Sequence, residues 1–243
     1  MTVGQLSDGR GMTAEVADGC LLHSLTVTLR LGESRDVVLG LKDKTKYVRR
    51  RDGEFAPPKN VCPSFFVRDG ALIVDYPAGE EPETGILFNL KGHGVGNIED
   101  HNLTVFADCF LDNGKPCDVS DTPLDFREET PIGERIRVGY APLVEKKGYD
   151  HIFILRPQAS PVHAATLMDR MRTLQMDVYT SFPALRLYTG NRMSGKDIGK
   201  GGCIYPKRGG VALMPCRLHK EPSDEDGQAK KCGRVEYRFK SLL

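Results

Sequence analysis

Ser24-Leu25-Thr26-Val27-Thr28-Leu29-Arg30-Leu31 places an apolar residue at every second position and is rich in β-branched side chains. A period of two lets an extended strand bury one face and wet the other, whereas an amphipathic helix repeats every 3.6 residues. Similar short stretches occur at residues 71–76, 103–111, 151–155, 176–189 and 234–239. Between them stand turn signals: Asp69-Gly70, Asp112-Asn113-Gly114, Gly190-Asn191 and Gly209-Gly210. With 26 Gly and 15 Pro spread along the chain, long helices have little room. Many short strands separated by turns predict an all-β sandwich or barrel.

The 243 residues fit one such domain, and hydrophobic and charged fractions of 40% and 28% are those of a globular chain with a core. A net charge of +1 gives no general attraction to nucleic acid. The first residues include Asp8 and Arg10 and lack an apolar run, and no later run is long enough to cross a bilayer. Seven cysteines (Cys20, Cys62, Cys109, Cys117, Cys203, Cys216, Cys232) form no CxxC pair, so neither a zinc site nor a disulfide framework is expected. The expected setting is a reducing cell interior, cytoplasmic or cytoskeletal, without secretion, metal or cofactor. Two segments read as solvated. Residues 220–232 are almost wholly polar and predict an exposed loop. Residues 42–51 carry Lys42, Lys44, Lys46, Arg49, Arg50 and Arg51 against Asp43 alone. That stretch reads first as a charged strand edge and second as a contact for an acidic protein subunit or a phosphorylated ligand. Residues 163–175, HAATLMDRMRTLQ, favour a helix by intrinsic propensity.

Several blocks, in order, resemble the aldose 1-epimerase (galactose mutarotase) family. Phe88-Asn89-Leu90 resembles its FNL-x-G segment, and Asp100-His101-Asn102-Leu103 its DH-x-(L/V) strand. Thr122-Pro123-Leu124-Asp125-Phe126-Arg127 matches T-x-(F/L)-DFR, and Gly148-Tyr149-Asp150-His151 matches G(F/Y)DH. Val178-Tyr179-Thr180 and Leu187-Tyr188-Thr189-Gly190-Asn191 match EV-x-T and FYTGN. A looser likeness covers Asp36-Val37-Val38-Leu39-Gly40. The resemblance implies a large twisted antiparallel β-sandwich of the galactose mutarotase-like type over residues 1–243, with a shortened rim around 41–70. It also implies a hairpin, not a helix, at 163–175.

Family members open the ring of a free hexose, which needs a base at the anomeric hydroxyl and an acid at the ring oxygen. By resemblance, His101 stands at the position of the catalytic acid, and Asp150 and Asn89 are sugar-binding positions. Other positions depart from the pattern. Gly85 stands where the family has the histidine of NH-x-(Y)FNL, and Met214 stands where a glutamate acts as base. A thioether cannot take a proton at neutral pH. The N-x-LHGG segment has no counterpart between Gly40 and Ala71. The expectation is therefore a catalytically degenerate member of the family, a structural or binding subunit of a larger assembly. The alternatives are an active mutarotase and a non-catalytic binder of a sugar or sugar phosphate.

Three motif-like stretches carry less. Residues 190–196 have phosphate-loop spacing, but Asp197 replaces the needed hydroxyl and Gly199, Gly201 and Gly202 follow at once. Gly92-His93-Gly94-Val95-Gly96 lacks a βαβ setting. Cys216 and His219 lack further metal ligands.

Overall fold

Strands dominate the computed structural model, which describes residues 2–7, 12–19, 24–32, 35–42, 48–49, 55–56, 64–76, 85–196, 198–218 and 233–243. Two seven-stranded antiparallel sheets enclose the core. In spatial order the first holds Lys115–Asp118, Ala107–Asp112, Asp150–Leu155, Ala184–Tyr188, Val211–Cys216, Gly85–Phe88 and Val38–Lys42. The second holds Thr130–Pro131, Asn102–Val105, Val162–Met168, Leu174–Thr180, Gly233–Ser241, Ala71–Tyr76 and Ser64–Arg68. A smaller sheet of Thr2–Ser7, Met12–Gly19, Ser24–Leu31 and Arg35–Asp36 completes the N-terminal part.

The alternation read from the sequence is the alternation of burial. Along Asp150–Leu155, His151, Phe153 and Leu155 are buried while Asp150, Ile152 and Ile154 lie on the opposite, partly exposed face. Phe110, Leu185, Leu187 and Leu213 join Phe153 in the core between the sheets. Two of the turn signals close two-residue hairpins with successive positive φ: Asp69 and Gly70 (51° and 76°), and Asn113 and Gly114 (49° and 76°). That backbone matches the right-handed twist of the flanking strands, and Asn, Asp and Gly tolerate it.

Propensity fails at residues 163–175. The segment forms the facing ends of Val162–Met168 and Leu174–Thr180, paired Thr166 to Asp177 and Leu167 to Met176. Asp169 makes the reversal. Its buried carboxylate accepts the N–H groups of Thr173 (2.7 Å) and Leu174 (2.9 Å) and the hydroxyl of Thr173 (2.7 Å). A carboxylate that satisfies turn amides outcompetes the helix ladder. Conversely, the strand reading gave no sign of the short helices Ile132–Arg135 and Ala141–Lys146. The second ends at Lys147 in the left-handed region (φ 60°) and leads into Gly148 (φ 138°). A Cβ on Gly148 would run into the side chain of Asn191.

Residues 219–232 lie outside the described residues, as do most of 42–51 and much of 41–70. Among the described residues no helix is long and apolar enough to cross a membrane.

Candidate functional site

His101 lies just before the strand Asn102–Val105, and its side chain is fully buried. The N–H of Leu90 donates to its Nε2 at 3.0 Å, and Nδ1 lies 3.2 Å from Asp100 Oδ1. A backbone N–H can only donate, so Nε2 is the bare nitrogen and the proton sits on Nδ1, directed at Asp100. Asp100 is anchored in turn by Lys91 Nζ at 2.9 and 3.1 Å. Burial lowers the imidazole pKa to about 4, with Asp100 opposing in part. Around Asp100 burial disfavours ionisation, but Lys91 and His101 outweigh it and hold the carboxyl below its ordinary value. At neutral pH the ring is therefore uncharged, with one nitrogen occupied by the backbone and the other by a carboxylate.

An acid that protonates a sugar ring oxygen must aim an N–H at it. The one N–H of this ring, on Nδ1, is directed at Asp100, and Nε2 faces the Leu90 amide. Asn89 is engaged in the same way. Its Nδ2 donates to the carbonyls of Val95 (3.1 Å), Gly96 (3.3 Å) and Gly209 (3.0 Å), and its Oδ1 accepts from Lys91 N (3.1 Å). Fully buried, with both amide hydrogens taken, Asn89 has no donor left for a sugar hydroxyl.

Asp150 and Met214 lie elsewhere, together, on the solvent side of the first sheet. Cross-strand register aligns Leu111 with Ile152, Ile152 with Arg186, and Arg186 with Met214. Because side chains on one face share their register partners, these four form a single row across four strands. Arg186 leans along the face to Asp150, with Nε and Nη2 each 2.7 Å from Oδ1. The carboxylate is one-tenth exposed, the guanidinium about half (10% and 48%). Asp150 is fixed from behind as well. Asn191 Nδ2 donates to the carbonyl of Tyr149 at 2.8 Å, and the Tyr149 hydroxyl donates to Pro123 O at 3.0 Å. His151, next in the chain, turns to the opposite face, where its ring packs edge-on against Phe110, and burial lowers its pKa.

Over the Leu111–Ile152–Arg186 part of this row opens a cleft of about 660 Å³. The hairpin residues Asp112, Asn113 and Gly114 form one wall, and Pro142, Glu145 and Lys146 of the short helix form another. Arg217 and Leu218 close the side toward the end of Val211–Cys216. Lys146 pairs with Glu145 at 2.5 Å. Sequence reading missed Arg186, Lys146, Arg217 and the aliphatic floor, because what joins them is register between strands far apart in the chain. Chemically the face offers ion-paired groups and hydrocarbon. Its central row contains no carboxylate, imidazole or hydroxyl.

Residues 86–229 match the profile of the family described as "Aldose 1-epimerase". The galactose mutarotase of Sus scrofa is 30% identical over 177 residues, 67% of this chain and 50% of that protein. The aldose 1-epimerase of Escherichia coli (strain K12) is 30% identical over 167 residues, 65% of this chain and 47% of that one. The chain thus spans about half the length of the curated relatives it matches. Among solved structures, galactose 1-epimerase from Lactobacillus acidophilus NCFM superposes with a TM-score of 0.63 at 19% identity, covering 98% of this chain and 93% of that one. The GalM/aldose epimerase homologue from C. elegans gives 0.64 at 15% identity, covering 98% of each. These likenesses carry the fold.

Proposed function

The chain belongs to the aldose 1-epimerase family, and from that premise we propose that it is a binding protein on the mutarotase scaffold that does not interconvert sugar anomers. The observation that carries this reading is the row Leu111–Ile152–Arg186–Met214. Where relatives are expected to take a proton from the anomeric hydroxyl, the row offers a thioether beside a guanidinium. The acid side is equally bare: Gly85 replaces one histidine, and His101 has both ring nitrogens engaged. General acid and general base help are each worth on the order of a hundred- to ten-thousand-fold, so losing both leaves little above the spontaneous rate.

The role left to the scaffold is to hold a ligand on the open face or to serve as a subunit of an assembly. Polarimetry tests the catalytic half of the reading. Micromolar protein added to fresh α-galactose or α-glucose is expected to leave the relaxation rate at its buffer value. A saturable acceleration that Asp150→Asn removes would establish the active mutarotase instead.

A further inference from the structure

The open face carries more hydrocarbon than an antiparallel sheet exposed on one side should show. Such a sheet alternates apolar inward and polar outward. Here Ile152 and Ile154 occupy the outward positions of their strand, and Leu111 joins them from the neighbouring one. Pro116, Pro142 and Leu218 extend the hydrocarbon up the walls. A concave aliphatic surface of this kind is informative where a lone exposed leucine is not. Among the described residues no Phe, Tyr or Trp lines the cleft, and the ring of His151 packs against Phe110 on the inner face, so the broad stacking platform that suits a pyranose is missing. Polar groups border this hydrocarbon, Asp150 and Arg186 on the sheet and Asp112, Glu145, Lys146 and Arg217 on the walls. Nε and Nη2 of Arg186 reach Asp150, which leaves donors among its five for another acceptor. The cavity, about 660 Å³, falls in the range of small-molecule sites.

We infer that this cleft binds a small amphipathic carboxylate, an aliphatic chain or ring lying over Leu111, Ile152 and Ile154 with its carboxylate against Arg186. The inference rests on the non-catalytic reading of the same face, since a hexose turning over there would need the space. The two fail separately: polarimetry decides the chemistry, and binding decides the ligand.

The test is calorimetry of the full chain with butanoate, hexanoate and octanoate, alongside octanol, octylamine and D-galactose. Affinity is expected to rise about fourfold per methylene added, the increment for burying a CH₂, until the cleft is filled. Octanoate should bind more tightly than octanol, and octanol more tightly than octylamine. Ile152→Lys, at a position already on the solvent side, should abolish the chain-length dependence while leaving the melting temperature within a few degrees; Leu111→Gln is the second variant should the first not fold. Arg186→Leu should remove the preference for the acid over the alcohol. No heat from any aliphatic ligand, affinity independent of chain length, tighter binding of the amine, or displacement of octanoate by millimolar galactose would each overturn the assignment.

Discussion

The turn around His101 and the face around Asp150 are both built from motif residues, yet they use them in opposite ways. At the turn the buried polar side chains are turned on the chain itself: the imidazole takes the Leu90 amide and Asp100, and Asn89 ties three carbonyls together. On the face the one motif carboxylate meets a half-exposed guanidinium beside an aliphatic floor, with charged side chains on the surrounding walls. A motif can therefore be present because the chain needs it to fold. In the turn the polar residues are structural connectors, whereas on the face they bound an open cleft. The comparison predicts large stability effects at the turn and small ones on the face.

The largest effect expected is from His101→Ala. It strands the buried Leu90 amide, removes a partner of Asp100 and leaves a cavity, together on the order of 4 kcal/mol in urea unfolding. Next comes pH. The unfolded imidazole titrates at its ordinary 6.5, while the folded one resists protonation down to about 4. Between those values the unfolded chain holds the extra proton, so the stability is complete above pH 6.5 and drains as pH falls toward 4. The total is about 3 to 4 kcal/mol, from roughly 1.4 kcal/mol per pH unit. His101→Gln should flatten that slope relative to the parent chain, and a slope unchanged in the variant would assign the effect to other groups. Asn89→Ala, which leaves buried carbonyls without their donor, should cost about 2 kcal/mol by the same unfolding measurement. Smallest is Arg186→Ala. With its guanidinium half in water, its pair with Asp150 should contribute under about 1 kcal/mol, and a loss several times larger would erase the contrast between the two regions.

The strands were readable because their cause is local. Alternation at Asp150–Leu155 and the turns at Asp69-Gly70 and Asn113-Gly114 depend on neighbours in the chain. The hairpin at 163–175 was hidden from propensity because one carboxylate, Asp169, decides it by capturing amides four and five residues ahead. The helix Ala141–Lys146 was hidden because it is short and buries a single leucine, Leu143. Of the candidate residues, Asp150 and Met214 share a face, while His101 and Asn89 lie buried in the turn before the second sheet's strand Asn102–Val105. The motif around His101 names a histidine but cannot say which ring nitrogen points where. The cleft was unreadable for a different reason: Leu111, Ile152 and Arg186 meet only once three strands fall into register.

Nitrogen NMR of the histidine side chains, followed from pH 8 to pH 4, tests the division between fold and chemistry most directly. The His101 ring should show a protonated Nδ1 and a bare Nε2 at neutral pH, and should begin to titrate only as pH approaches 4. A ring that carries its proton on Nε2, or that titrates near 6.5, would return an available proton donor to the protein and contradict the account.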